Sequence, residues 1–250
     1  MRIFLMADNW LGWKVVKHLR ELNENIVGLA IHPEHSQNYT DEIIREAKIN
    51  YDQVLIGNKN LDAIFIEKVK QLQPDIILVV YWNFILPEAL FSIPKLGSIN
   101  FHMAYLPYNR GKNPNVWPII EGTPAGVTLH YIESGIDTGR IIAQKKVNVE
   151  IIDTAKSIFS KQLKTFIELF KENWPCIKNS TIKPIRQDLN DGTMHFAKDF
   201  EKIGEINLEH KVFPLELINQ LRAKMFEPHP SAYFIHEGKK VYVSISLNHE

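Results

Sequence analysis

From Arg2 to Phe91 the chain repeats one pattern: a short uninterrupted apolar run, then a segment whose apolar residues recur at helical spacing. Residues 2–7 precede Leu11, Val15, Val16, Leu19 and Leu22, and residues 26–32 precede a helix over 41–48 with Thr40 or Asp41 as its cap. Residues 53–56 precede Leu61, Ile64, Phe65, Val69 and Leu72, and residues 75–80 precede a short helix over 87–91. Strands that are apolar throughout, instead of alternating, must be covered on both faces, and intervening helices supply that cover. The pattern predicts an α/β, Rossmann-like fold with a mostly parallel sheet flanked by helices, whose ligands sit beyond the carboxyl ends of the strands.

Downstream, residues 97–102 read as a fifth strand, and 126–132 and 140–149 as two more joined by a glycine-bearing connection over 133–139. Residues 154–174 form a long amphipathic helix capped by Asp153 or Thr154. A polar linker is expected over 178–192, after which a helix near 215–224 and strands over 232–236 and 239–247 make a small α+β extension. The expected organisation is a catalytic domain over 1–177, the linker 178–192, and the extension 193–250. A two-stranded element bearing Tyr233, Phe234 and Tyr242 rarely stands alone, which makes the extension a candidate homodimerisation element.

Charge narrows the partners. Lys plus Arg number 29, as do Asp plus Glu, so no overall field draws in nucleic acid or an anionic membrane. Cys176 is the single cysteine among the 250 residues, which excludes an internal disulfide and any multi-thiolate metal site and fits a cytoplasmic setting. The N-terminus holds too few apolar residues for a signal-peptide core, and no run approaches a membrane span, so a soluble protein is expected.

Asn100 and His102 stand at the carboxyl end of the fifth predicted strand, and a separation of two puts both side chains on one face. Taken alone, a histidine in an apolar strand reads as core; the loop that follows argues for more. Leu106-Pro-Tyr-Asn-Arg-Gly-Lys-Asn-Pro114 collects Arg110, Lys112 and Asn113 in a stretch that its prolines and glycine keep out of regular structure, suited to a polar or phosphorylated substrate. Asp137 lies between Gly135 and Gly139, where a tight loop can aim a carboxylate inward, although a lone aspartate there also reads as a turn residue. The first loop, Asp8-Asn-Trp-Leu-Gly12, has one glycine where a dinucleotide fingerprint has three, so an NAD site is not expected. Asn9 there reads either as an anion contact at a helix N-terminus or as a plain cap. His32 and His35 flank Pro33 with no third ligand nearby, and no metal site is expected.

The order Asn100-x-His102, Leu106-Pro107, Arg110-Gly111, Gly126-x-Thr128 and Asp137-Thr138-Gly139 resembles the 10-formyltetrahydrofolate-dependent formyltransferases over residues 1–175. That family includes enzymes acting on glycinamide ribonucleotide, on methionyl-tRNA and on amino sugars. The resemblance implies that Asn100, His102 and Asp137 are catalytic, that 10-formyltetrahydrofolate is the co-substrate, and that no metal takes part. It further implies a folate site of Phe84, Ile85 and Leu86, mainly through backbone groups, with Ser134 and Asp137 on the other wall.

The loop over 108–118 and the segments 195–200 and 226–234 resemble the sugar N-formyltransferases, which implies a nucleotide-linked amino sugar, commonly a 4-amino-4,6-dideoxyhexose, and a role in surface glycan or lipopolysaccharide biosynthesis. Arg110 and Lys112, with Asn9 and Asn113, are then the expected contacts for its diphosphate. From Asp191 to Glu250 there are seven Lys and Arg against nine Asp and Glu, a poor footprint for tRNA. Formylation of glycinamide ribonucleotide is the other alternative within the family, and a non-catalytic nucleotide-binding module is the reading from another class.

Overall fold

The computed structural model describes residues 1–249. In chain order its elements are β1 (Arg2–Ala7), α1 (Asn9–Glu21), β2 (Asn25–Ile31), α2 (Thr40–Ala47), β3 (Val54–Ile56), α3 (Ala63–Gln71), β4 (Ile76–Val80), α4 (Glu88–Phe91) and β5 (Ser98–His102). There follow β6 (Arg110–Gly111), α5 (Trp117–Glu121), β7 (Gly126–Tyr131), β8 (Ile141–Lys146), α6 (Ala155–Lys178), β9 (Met194–His195), α7 (Ala197–Lys202), α8 (Pro214–Ala223), β10 (Ala232–His236) and β11 (Lys239–Val243).

Seven strands form the main sheet in the order β3-β2-β1-β4-β5-β7-β8, and the pairs from β3 through β5 run parallel. The expected α/β sheet with flanking helices is the observed one. β1 lies between β2 and β4, so the connection reverses direction there and opens a crevice at the carboxyl ends of β1 and β4. Asp8 N donates to Val80 O at 3.2 Å across that junction.

The chain divides into two compact units, one of Met1–His102, Leu129–Ala143 and Phe166–Arg186, the other of Met103–Thr128, Gln144–Thr165 and the residues from Gln187 onward. In the first, Phe4, Met6, Ala30, Leu55, Phe65, Val69, Ile77, Val79 and Leu90 pack into a buried cluster. Each such large side chain contributes about 1.5–3 kcal/mol by leaving water. In the second, Val116, Trp117, Ile119, Ala155, Ile158 and Ala223 form their own cluster.

Several local expectations are corrected. The cap of α2 is Tyr39, in a left-handed conformation (φ 60°) and without a side-chain hydrogen bond; Asp41 and Glu42 sit in the first turn, where their charge meets the helix dipole. α6 runs through Pro175 to Lys178, because Trp174 Nε1 and Lys178 Nζ both donate to the buried Glu24 carboxylate, at 3.0 and 2.7 Å. Its N-terminus is capped as expected, Thr154 Oγ1 accepting from Ser157 N at 3.3 Å. β11 ends at Val243, the partner of Ala232 where β10 begins, so residues 244–247 have no strand left to pair with. β8 ends at Lys146, and the chain turns as Asp153 accepts from Glu150 N at 2.7 Å. The loop after Leu106 is not wholly irregular: it contains β6, paired in parallel with β9.

Candidate active site

β5 carries the centre of the site. Ile99 and Phe101 face one side, where the Phe101 ring lies 5.1 Å from Phe166 and 5.2 Å from Phe170. Ser98, Asn100 and His102 face the other side by the two-residue period of a strand. Packing on the first side therefore holds the polar groups on the second.

Asp137 comes to them from the loop after β7. Tyr131 N donates to Arg140 O at 3.0 Å to close that loop, Thr138 Oγ1 donates to Ser134 O at 2.9 Å, and the half-exposed Glu133 and Arg140 pair at 2.7 Å. Gly139 allows the closure, since a Cβ there would collide with the Tyr131 carbonyl. Asp137 itself takes a left-handed conformation (φ 52°), a cost that places its carboxylate over β5.

The three residues that sequence brings into question meet here, with a fourth. Asn100 Nδ2 donates to Asp137 Oδ1 at 3.2 Å and lies 3.1 Å from His130 Nε2. His102 Nδ1 is 3.5 Å from Asp137 Oδ2, and His130 Nε2 is 3.6 Å from Asp137 Oδ1. The His102, His130 and Asp137 side chains are 8%, 3% and 14% exposed. A carboxylate only accepts, which settles the orientation of the Asn100 amide with its nitrogen toward Asp137. A carbonyl also only accepts, so His130 Nδ1 donates to Tyr131 O at 2.8 Å and its Nε2 is left to accept from Asn100. Both N–H bonds of Asn100 are thus engaged. Low solvent access strengthens every interaction in this cluster. The arrangement orients an imidazole beside a carboxylate and an amide at one strand end, a set that can move a proton and polarise a carbonyl.

His130 was not among the sequence candidates. The signal was present in Gly126-Val-Thr-Leu-His-Tyr131: Thr128 and His130 alternate with apolar residues, as Asn100 and His102 do on β5.

Around the β1–β4 crevice, Asn9 starts α1 with φ 64° and its amide oxygen accepts from Trp10 N at 2.6 Å, while Asp8 is drawn away from capping to accept from Asn38 N at 2.8 Å. After β4, the Trp82 ring stacks on buried His32 at 4.0 Å, and Phe84 meets His32 edge-on at 5.2 Å. Neither His32 nitrogen meets a partner at hydrogen-bonding geometry. Burial pushes the His32 imidazole below its ordinary pKa, against the opposing pull of Asp8 and of the Tyr81 backbone. Burial, with the Asp8 carboxylate, pushes the Tyr81 hydroxyl up. Ile85 is 78% exposed beside half-buried Phe84, whereas Leu86 is buried in the core and Ser134 is exposed.

Arg110, Lys112 and Asn113 belong to the second unit. Arg110 is half-buried with its Nε unpartnered, Lys112 is exposed, and Asn113 has φ 54°. Among the described residues no group of three or more His, Cys, Asp or Glu is arranged to hold a metal ion, and no helix is long and apolar enough to cross a membrane.

Residues 17–170 match the family described as formyl transferase, and residues 199–249 match the N-formyltransferase dimerization C-terminal domain. The chain is 31% identical over 240 residues to a methionyl-tRNA formyltransferase from Clostridioides difficile, covering 93% of this chain and 76% of that protein. It superposes on a 4-N formyltransferase from Francisella tularensis with a TM-score of 0.85 and 26% identity, over 100% of this chain and 98% of the other. It superposes on the formyltransferase PseJ from Anoxybacillus kamchatkensis, crystallised with UDP-4,6-dideoxy-4-formamido-L-AltNAc and tetrahydrofolate, with a TM-score of 0.59 and 26% identity, over 90% of this chain and 99% of the other.

Proposed function

Because the chain belongs to the formyl transferase family, we propose that it transfers the formyl group of 10-formyltetrahydrofolate to the amine of a nucleotide-linked amino sugar, a 4-amino-4,6-dideoxyhexose. The observation that carries the reading is the buried contact set of Asn100, His102, His130 and Asp137 at the end of β5. The choice of amine is supported by the match to PseJ, crystallised with a UDP-linked 4-formamido sugar, over 99% of that chain, and by the match of residues 199–249 to the N-formyltransferase dimerization C-terminal domain.

When bound, 10-formyltetrahydrofolate supplies an electrophilic formyl carbon. His102 takes the proton that the amine sheds as it bonds to that carbon and passes it to the folate nitrogen as the carbon–nitrogen bond to tetrahydrofolate breaks, while Asp137 orients the imidazole from its Nδ1 side. Asn100 exchanges one of its two N–H contacts for the formyl oxygen, where negative charge develops. His130, a positioning residue, holds the Asn100 amide.

The exposed Ile85 and half-buried Phe84 offer apolar surface at the carboxyl end of β4 that suits a flat pterin. Leu86, turned into the core, would contribute backbone, and Ser134 with Asp137 the opposite wall. Arg110, Lys112 and Asn113, all in the second unit, are assigned to the carrier's diphosphate. In this reading residues 1–177 hold catalysis and folate, 178–192 link, and 193–250 pair two copies in a cytoplasmic enzyme of surface glycan assembly.

The test is release of tetrahydrofolate with 10-formyltetrahydrofolate and a panel of UDP- and dTDP-linked 4-amino sugars, with glycinamide ribonucleotide and charged methionyl-tRNA as further arms. Formylation of a nucleotide sugar is expected. The 31% identity to a tRNA enzyme favours methionyl-tRNA as the second reading, and turnover confined to that arm would establish it in place of the first.

A further inference from the structure

The second unit holds the loop from Asn109 to Asn113 with chain that comes from far along the sequence. Asn109 N donates to Thr193 Oγ1 at 2.8 Å, and that hydroxyl donates back to Asn109 Oδ1 at 3.1 Å, across 84 residues. Arg110 N donates to Thr193 O at 3.1 Å and Lys112 N to His195 O at 2.9 Å, so both ends of β6 hang on β9. The His195 ring stacks on Trp117 at 3.8 Å and 14°, and Trp117 Nε1 returns to Lys112 O at 2.8 Å. Gly111 (φ +88°) lies so close to the His195 carbonyl that a Cβ would collide with it.

None of these contacts buries Arg110 and Lys112 as core; they fix the backbone that carries them. Asn109, Gly111 and Asn113 all have positive φ, a sequence of conformations that a free loop does not keep without outside support. The dimerization domain match begins at residue 199, after β9.

We infer that Thr193 and His195 are positioning residues for the amine substrate: the segment 193–195 is a strap that holds Arg110 and Lys112 in the geometry that grips the substrate's anionic carrier. The inference rests on the reading of Arg110 and Lys112 as carrier contacts.

The experiment uses the full chain with Thr193→Ala, His195→Ala and the conservative Thr193→Ser and His195→Phe, beside Arg110→Ala and Lys112→Ala. Steady-state constants are measured for a nucleotide-linked amino sugar and for 10-formyltetrahydrofolate, and brief trypsin digestion is mapped at Arg110 and Lys112. Thr193→Ala and His195→Ala should speed cleavage at those two sites and raise the amine KM about tenfold, with kcat and the folate KM within about twofold. Thr193→Ser, keeping the hydroxyl, and His195→Phe, keeping the stacked ring, should restore both readouts. If Arg110→Ala and Lys112→Ala raise the amine KM while Thr193→Ala and His195→Ala do not, the strap is overturned and the carrier reading stands. If none of the four moves it, the carrier reading falls and the strap with it. A parallel rise in both KM values with a fall in kcat would also overturn it, as general destabilisation.

Discussion

The cluster at the end of β5 and the loop around Arg110 are both made of polar residues, and the structure holds them by different means. Asn100, His102 and His130 stand on neighbouring strands of the main sheet, and only Asp137 arrives on a loop, one closed by its own hydrogen bonds. Arg110 stands on a two-residue strand, and Lys112 follows it; that strand pairs with β9, 84 residues along the chain. Side chains on a regular strand inherit rigidity from the whole sheet, whereas a loop has the rigidity of whatever is tied to it. Chemistry that depends on proton positions suits the first arrangement, and recognition of an extended carrier suits the second.

The largest break in that comparison should come from the rigid side. Asp137→Asn or His102→Asn should lower kcat by about 10²–10⁴-fold with little change in either KM or in thermal stability. Near-full turnover of either variant would remove the proposed roles.

On the tethered side, Gly111→Val meets both a positive φ and the His195 carbonyl. It should raise the amine KM by up to about 10²-fold and leave the folate KM unchanged. An unaltered amine KM would show that the loop tolerates displacement.

His130→Phe sharpens the comparison inside the cluster. Losing the acceptor for Asn100 should lower kcat roughly tenfold, less than loss of Asp137, because the carboxylate still holds the amide. A loss as large as that of Asp137→Asn would make His130 a proton carrier instead of a positioning residue.

The smallest effect is a pH slope in stability. Below pH 6.5 the unfolded chain binds a proton that buried His32 resists, so stability is intact above 6.5 and declines as pH falls from there toward the lower folded value. His18, pushed down mainly by burial and also by Lys171, adds to the same slope. His32→Phe keeps a ring on Trp82, and its melting temperature should fall less than that of the unaltered protein between about pH 7.5 and about pH 5. Equal falls would assign the slope elsewhere.

Much of the rigid region is legible in the chain. The spacing of Asn100 and His102 places both on one strand face, and the glycines around Asp137 mark a tight loop. Their convergence with His130 was half visible, since His130 sits in a strand whose neighbour in the sheet no spacing reveals. Less of the tethered region is legible: nothing local to Arg110-Gly111 or Met194-His195 announces a strand, because neither segment has the length or periodicity of one. The same holds for Tyr39 at the start of α2 and for α6 beyond Pro175, where docking onto Glu24 outweighs the local tendency of proline to end a helix.

By itself the sequence determined the alternation of strands and helices, the both-faces burial of the sheet, and the strand end at which polar residues gather. These follow from side-chain periodicity and from covalent geometry over a few residues. Only the tertiary structure decided that Asn100 shares its amide with His130 and Asp137, and that β9 carries the Arg110 loop. Such pairings are chosen by packing between segments tens of residues apart, and no short window of sequence contains both partners.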